Sequence, residues 1–222
     1  AGATGGNVQC GSEYAGVSRD AIALAMTGAS GAVYGLRLLE CLLQAQKTVY
    51  LMLSPAAQIV LAQETDLKVP GTPAEQEKYF SARYRAREGQ LRVFGPNAWF
   101  SPPASGSNAP QAMVVCPCTS GALAAIAQGS ADNLIERAAD VAIKEGRRLI
   151  LVPREMPLSA IHLENMLKLA RLGVVILPPS PGFYLHPKRI EDLVDFVVAR
   201  LLDHLGIEHR LVARWAEDAE GK

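Results

Sequence analysis

A short apolar run that passes through a turn of small residues into a helical pattern constrains this chain most. Residues 22–26 read Ile-Ala-Leu-Ala-Met, and the turn from Thr27 to Gly31 reads Thr-Gly-Ala-Ser-Gly. Apolar residues at helical spacing follow, as in a first βα unit. Such a turn presents backbone N–H groups and a helix N-terminus, which bind anions and cofactor edges. The full G-x-G-x-x-G pattern is missing, so a turn that merely needs small residues remains an open interpretation.

The rest of the chain alternates short apolar runs with helical patterns. We predict strands at residues 22–26, 48–53, 91–94, 112–116, 149–152 and 174–177, and later helices at 55–64, 74–88, 119–127, 133–144, 159–171 and 190–205. Ser54 is a candidate N-cap, and Gly89 is placed to end a helix. Residues 95–110 are rich in Pro, Ser and Gly and predict a long loop. Apolar strands that alternate with helices favour an α/β fold, a parallel sheet with helices on both faces.

Composition limits the class of protein. The 22 basic and 22 acidic residues balance, so no overall field favours nucleic acid or an anionic membrane. No apolar run approaches the roughly 18–20 residues that span a bilayer, and four cysteines form neither a disulfide framework nor a convincing metal spacing. We expect a cytoplasmic protein with one domain at residues 21–210. Residues 1–20 lack the pattern of a signal peptide and, like 211–222, are expected to be tails.

Hydroxyl and glycine residues gather where the predicted strands end. Ser30, Ser54 and Thr119 each follow a strand and precede a helix. Each hydroxyl could simply cap its helix. In a parallel sheet, however, the carboxyl ends of the strands share one edge, where ligands bind. Their joint position therefore favours a site for a phosphate and a polar heterocycle.

Six motifs in order carry a family resemblance. They are Thr-Gly-Ala-Ser-Gly at 27–31, Cys-Pro-Cys at 116–118, Asn-Leu-Ile-Glu-Arg-Ala-Ala-Asp-Val at 133–141, Val-Pro-Arg-Glu at 152–155, Ile-His-Leu-Glu-Asn-Met at 161–166 and Pro-Gly-Phe-Tyr at 181–184. Over about residues 20–210 the chain resembles the UbiX-type flavin prenyltransferases, formerly described as 3-polyprenyl-4-hydroxybenzoate decarboxylases. The resemblance implies a Rossmann-like flavoprotein fold.

The resemblance also implies a reaction. In this family, reduced FMN is alkylated by dimethylallyl phosphate, first at flavin N5 and then at C6, and phosphate leaves. The prenylated FMN serves a UbiD-type decarboxylase, and the family name links it to ubiquinone biosynthesis. The resemblance further implies a homo-dodecamer and a reaction without a metal, in which cationic side chains stabilise the leaving phosphate.

Site residues follow from the same resemblance. The positions that match flavin contacts are Gly28, Ala29, Ser30, Ser54, Thr119, Ser120, Gly121, Ala122 and Arg154. The positions that match the dimethylallyl phosphate headgroup site are Arg137, Lys144, Tyr184 and Arg200. Ser30 would lie near flavin N5, and Glu155 would relay a proton between phosphate and flavin. Lys144 and Glu64 complete the expected catalytic set.

The same side chains have structural interpretations. Arg137 and Lys144 lie seven residues apart, so they share a helix face as solvated charges often do. Arg154 and Glu155 could form an ion pair. Surface, packing or capping roles are open for three more side chains: Arg200, Tyr184 and His162.

Two other functions remain open at this point. Flavin-dependent cysteine decarboxylases share the fold, but they use a histidine early in the chain, and none lies between Ala21 and Gln111. A flavin carrier without chemistry of its own is the second alternative. A carrier needs no second phosphate site, so the set of Arg137, Lys144 and Glu155 argues against it. The sequence leaves open the partner decarboxylase, the choice between mono- and diphosphate, and which subunit supplies each site residue.

Overall fold

The sheet of this protein has six parallel strands. The computed structural model describes residues 20–212, so the predicted tails lie almost entirely outside it. The strands are β1 (Ile22–Met26), β2 (Val49–Leu53), β3 (Leu91–Phe94), β4 (Ala112–Cys118), β5 (Arg148–Pro153) and β6 (Val175–Ile176). They lie in the order β3-β2-β1-β4-β5-β6, and every pair is parallel. The predicted α/β fold is confirmed.

Helices cover both faces of the sheet. They are α1 (Ala32–Gln44), α2 (Pro55–Glu64), α3 (Pro73–Tyr84), α4 (Ser120–Gln128), α5 (Leu134–Lys144), α6 (Ala160–Arg171) and α7 (Ile190–Leu205). Alternate strand residues enter two apolar layers: Leu24 packs in the layer with α1 and α7, and Ala25 in the layer with α4 and α5. Fully apolar strands are thus explained by burial on both faces. None of the helices within residues 20–212 combines the length and hydropathy needed to cross a membrane.

Two predicted elements are shorter than expected. The helix predicted to reach residue 88 ends at Tyr84, because Arg85 takes a left-handed φ of 53° and Ala86 N–H donates to the Ser81 carbonyl oxygen. Gly89 therefore belongs to the turn before β3 and not to the helix end. The last strand, predicted at residues 174–177, pairs over two residues only. Prolines follow it closely at 178, 179 and 181, and proline has no N–H to donate to a ladder.

The helix caps match the capping interpretation at Ser54 and Thr119 but not at Ser30, because the N-cap of α1 is Gly31, which has no side chain to make the capping hydrogen bond. Ser54 Oγ accepts a hydrogen bond from Ala57 N at 3.0 Å, and Thr119 Oγ1 accepts from Ala122 N at 3.0 Å. His162 forms a capping box with Ser159, as the capping interpretation of this histidine expects. A capping hydroxyl accepts through its oxygen and keeps its proton to donate. Capping and ligand binding are therefore compatible at Ser54 and Thr119.

Candidate active site

A crevice opens at the carboxyl edge of the sheet, between β1 and β4. The chain passes from β1 outward to β2 and β3 and then crosses to β4 on the other side of β1. The loops that leave β1 and β4 diverge at such a reversal of strand order, and ligands bind between them. Here one rim is the turn at residues 27–31, and the other is the first turn of α4.

Thr27 joins the two rims. Its hydroxyl donates to the Pro117 carbonyl oxygen at 2.9 Å and accepts from Thr119 N at 2.8 Å, and its own N–H donates to Pro117 O at 3.1 Å. The side chain is buried, with the residue only 6% exposed. Sequence reasoning assigned Thr27 no role. A threonine directly after the first strand, where a dinucleotide-type turn has glycine, is the signal that could have identified it.

Unused donors line both rims. Within residues 20–212, no hydrogen bond uses the N–H groups of Gly28, Ala29 or Ser30 on one rim, nor those of Ser120 and Gly121 on the other. A Cβ on Gly121 would meet nothing nearer than Thr119 Oγ1 at 3.9 Å. The start of α4 is thus open to an anion, and the β1 turn offers donors to the edge of a heterocycle. These donors fit FMN.

Gly28 has a packing reason as well. A Cβ on this residue would lie 2.4 Å from the Cβ of Ala56 in α2, a distance that side-chain atoms do not tolerate. The turn after β1 therefore needs glycine at this position to approach α2. The interpretation that the turn merely needs small residues therefore holds for Gly28. At Gly121, in α4, no neighbouring atom of the described chain requires a glycine.

Glu64 covers the N-terminus of α1. Its carboxylate accepts hydrogen bonds from Gly31 N and Ala32 N, both at 2.9 Å. Burial by itself would raise the pKa of Glu64, but hydrogen bonds from the Ser30 hydroxyl and these two N–H groups, with the Arg154 charge, lower it overall. The N-terminus of α1 is therefore already occupied by a carboxylate of the protein itself, whereas the N-terminus of α4 is open to an anion.

Arg154 and Glu155 follow β5 on the far side of the crevice. Arg154 N donates to the Cys118 carbonyl oxygen at 3.2 Å, which ties this segment to the end of β4. Glu155 accepts from Ser120 Oγ at 3.4 Å and from Met156 N at 3.1 Å. The ion pairs of residues 20–212 do not include one between Arg154 and Glu155. The charge of Arg154 instead lowers the pKa of Glu64, and Glu155 is hydrogen-bonded to Ser120.

The two cysteines at the end of β4 take no part in the crevice chemistry. Cys116 and Cys118 are fully buried, and burial raises the pKa of both thiols. A thiol held protonated is a poor nucleophile and metal ligand. In the described part of the chain no three His, Cys, Asp or Glu side chains are grouped to hold a metal ion.

Tyr184 and Arg200 lie together in a second place. They line a cavity of about 690 Å³ beside α7. The Tyr184 ring meets Phe196 edge-on at 5.7 Å. Arg200 Nη1 donates to Asp203 Oδ2 at 2.6 Å, and 55% of the Arg200 side chain remains exposed.

Arg137 and Lys144 lie along α5 in a third place. Arg137 donates to Asp140 Oδ2 at 2.8 Å and to the Ala104 carbonyl oxygen at 3.3 Å, and Lys144 pairs with Glu145. Lys144 precedes β5 at its amino end, whereas Glu155 follows its carboxyl end. Six strand residues span about 20 Å. One chain therefore groups Ser30, Glu64, Ser120, Arg154 and Glu155, but it does not bring Lys144 to Glu155.

The chain matches a family of flavoproteins. A family model described as Flavoprotein matches residues 12–202. The chain is 60% identical over 196 residues to a flavin prenyltransferase UbiX of Pseudomonas aeruginosa, covering 88% of this chain and 94% of that protein.

Two solved structures share the fold at substantial identity. The structure of AnUbiX in complex with FMN and dimethylallyl pyrophosphate has a TM-score of 0.79 and 41% identity, covering 89% of this chain and 98% of that one. A dodecameric FMN-dependent UbiX-like decarboxylase from Escherichia coli O157:H7 has a TM-score of 0.76 and 42% identity, covering 88% and 98%. With its parallel sheet and its crevice of open donors, the chain belongs to the flavoprotein family and, within it, to the UbiX-type flavin prenyltransferases.

Proposed function

We propose that this protein is a flavin prenyltransferase that joins the dimethylallyl group of dimethylallyl phosphate to reduced FMN, at N5 and then at C6. The observation that carries the proposal is its 60% identity to a flavin prenyltransferase over 94% of that enzyme's length. The cysteine decarboxylase and the carrier alternatives have no comparable support.

The crevice residues would hold FMN. The N-terminus of α4, from Thr119 to Ala122, suits the phosphate, because the unpaired N–H groups of Ser120 and Gly121 and the helix dipole both favour an anion. The turn at Gly28–Ser30 and the Arg154 side chain suit the ring system. Ser54, whose hydroxyl proton remains available, completes the predicted contacts. Bound reduced FMN would supply the nucleophilic ring positions.

Ser30 is prepared to accept a hydrogen bond. Its hydroxyl lowers the pKa of the nearby Glu64 carboxyl group, and we infer that it donates its proton there, which leaves its oxygen lone pairs for a donor in the crevice. Reduced flavin carries such a donor at N5. Glu64 would therefore act on the reaction by orienting Ser30, and Arg154 would balance the Glu64 charge beside the ring.

Glu155 is the candidate proton carrier. It lies at the carboxyl edge with Ser120 as a hydrogen-bond donor, and its carboxyl group could move a proton as N5 alkylation gives way to ring closure. Arg137, Lys144, Tyr184 and Arg200 would stabilise the departing phosphate.

A complete site needs more than one copy of the chain. The separation of about 20 Å between Lys144 and Glu155 within one chain supports a homo-oligomer in which neighbours supply the cationic residues. The dodecameric UbiX-like relative supports the same assembly size. The loop at residues 95–110 exposes Trp99 and Phe100, at 43% and 89%, as further surface for a neighbour. A monomer in light scattering that retained full activity would contradict this part of the proposal.

The product would be consumed elsewhere. We propose that prenylated FMN passes to a UbiD-type decarboxylase, as the family resemblance implies, and that the reaction takes place in the cytoplasm. Reconstitution of an apo-decarboxylase by the reaction mixture, but not by FMN alone, would test the transfer.

Mass spectrometry of the flavin tests the central reaction. The protein is incubated with reduced FMN and either dimethylallyl phosphate or the diphosphate, and the mass of the extracted flavin is measured. We expect a flavin heavier than FMN by one isoprene unit with at least one of the two donors. Unmodified FMN with both would contradict the proposed function and favour the carrier.

A further inference from the structure

The segment after α7 turns back onto the helix and places a histidine beside Asp203. Gly206 takes a left-handed φ of 69°, and Ile207 N–H donates to the Leu202 carbonyl oxygen at 3.0 Å. Ile207 is 8% exposed, so its apolar side chain anchors the turn. The side chain of His209, two residues on, is also only 8% exposed.

Asp203 is shared between two donors. Oδ2 accepts from Arg200 Nη1 at 2.6 Å, and Oδ1 lies 3.1 Å from His209 Nε2. The other ring nitrogen of His209, Nδ1, accepts from Leu211 N at 3.4 Å. A ring that accepts at Nδ1 carries its proton at Nε2, so His209 donates to Asp203.

The guanidinium of Arg200 is held on one side only. The hydrogen bond to Asp203 uses Nη1, and in residues 20–212 no hydrogen bond uses Arg200 Nε or Nη2. That edge of an arginine offers two parallel donors to a phosphate. Asp203 therefore fixes the direction of Arg200 without occupying the edge that binds phosphate.

We propose that Asp203 and His209 are positioning residues for Arg200. His209 holds Asp203, and Asp203 holds the guanidinium, so that its Nε–Nη2 edge faces the phosphate of the alkyl donor. The inference rests on the proposed function, in which Arg200 binds that phosphate. A long arginine side chain on a helix surface otherwise loses considerable rotamer freedom on binding. The contacts from His209 to Asp203 and from Asp203 to Arg200 restrict the side chain before the phosphate binds, so that less freedom is lost at that step.

The test compares His209→Leu, which removes the donor, with His209→Gln, which keeps one near the Nε2 position. We expect His209→Leu to raise the KM for dimethylallyl phosphate roughly three- to tenfold, with kcat and FMN affinity little changed. His209→Gln should restore KM to within about twofold of wild type. His204→Leu is the matched control, because His204 lines the same cavity but no hydrogen bond joins its ring to Asp203 within the described chain.

A double-variant cycle separates positioning from general stabilisation. If His209 acts through Arg200, His209→Leu has no further effect on KM in an Arg200→Ala background. An equal KM increase in both backgrounds, or a wild-type KM in His209→Leu, would overturn the proposal. Asp203→Asn serves as a second variant, with the same expected direction.

Crystal structures provide a readout that needs no turnover. In His209→Leu the Arg200 guanidinium should leave its place beside Asp203 or lose its density, and in His209→Gln it should keep it. If Arg200 keeps its place in His209→Leu, the positioning role is refuted, whatever the activity of that variant. A wild-type protein that forms no prenylated flavin would instead refute the proposed function, and the crystal structures would still decide the role of His209.

Discussion

The crevice at the carboxyl edge and the cationic residues on α5 and α7 are built in different ways. The crevice depends on contacts between distant parts of the chain, such as Thr27 with Pro117 and Glu64 with Gly31. The three cations are each held by a carboxylate one or three residues away: Arg137 by Asp140, Lys144 by Glu145 and Arg200 by Asp203. Arg154, in the crevice, belongs to none of the ion pairs within residues 20–212.

The crevice is thus formed by the folding of one chain, whereas the cationic residues on α5 and α7 form an exposed surface. A single folded chain already presents the donors that fit a flavin, and folding pays their ordering entropy in advance. The cations remain one-third to one-half exposed with local partners, and exposed local pairs contribute little to stability. Arg137 and Lys144 can therefore exchange those partners for a phosphate when a neighbouring copy brings them to a crevice, whereas Arg200 can keep Asp203 and bind through its other edge.

Glu155→Gln should have the largest effect. The amide keeps the shape of the side chain but cannot carry the proton, so the rate of prenylated FMN formation should fall by roughly 10²-fold or more. FMN affinity, measured by fluorescence titration, should stay near the wild-type value. Glu164→Gln on α6 is the control, and product at the wild-type rate from Glu155→Gln would remove Glu155 from the mechanism.

Thr27→Val tests whether the crevice is built by folding. The valine keeps the shape but leaves Thr119 N–H without its buried acceptor, which should lower the free energy of unfolding by about 1–3 kcal/mol. FMN affinity should fall with it, because the two rims are no longer joined. Thr48→Val, at a threonine whose hydroxyl makes no hydrogen bond within residues 20–212, is the control for chemical denaturation. Unchanged stability would mean that the rims are held by packing alone.

Lys144→Ala tests the cationic group. Loss of a charge-assisted contact to the leaving phosphate should raise the KM for dimethylallyl phosphate roughly tenfold, with FMN affinity unchanged. Lys78→Ala on α3 is the matched surface control in the same steady-state assay. If Lys144→Ala and Glu155→Gln weakened FMN binding equally, the two regions would not be functionally distinct.

Glu64→Gln should have the smallest effect, a change in how the free energy of unfolding depends on pH. The pKa of Glu64 is lowered in the folded chain, so its contribution to stability is complete above the unfolded pKa of about 4.3. That contribution is lost as the pH falls through the folded pKa. Denaturant unfolding between about pH 3 and 6 should show a shallower loss in Glu64→Gln than in wild type. Identical slopes would mean that the Gly31 and Ala32 donors do not stabilise the Glu64 carboxylate.

Local patterns in the sequence determined most of the fold. Apolar runs predicted all six strands within a few residues, because burial on both faces makes most strand positions apolar, with exposed Arg92 in the edge strand β3 as an exception. Hydroxyls at Ser54 and Thr119 predicted helix starts, since a cap bonds an N–H only three residues away. Errors came where a backbone conformation decides the end, as at Arg85.

Tertiary structure alone decided how the site is assembled. The Thr27–Pro117 and Glu64–Gly31 contacts join residues 90 and 33 positions apart, and no local pattern encodes such a pair. The sequence motifs placed Lys144 and Glu155 eleven residues apart, but the β5 strand between them sets them at opposite edges of the sheet. Local geometry decides only which residues near each other in the sequence can be in contact. Contacts between distant residues depend on the strand order, which the packing of the whole chain determines.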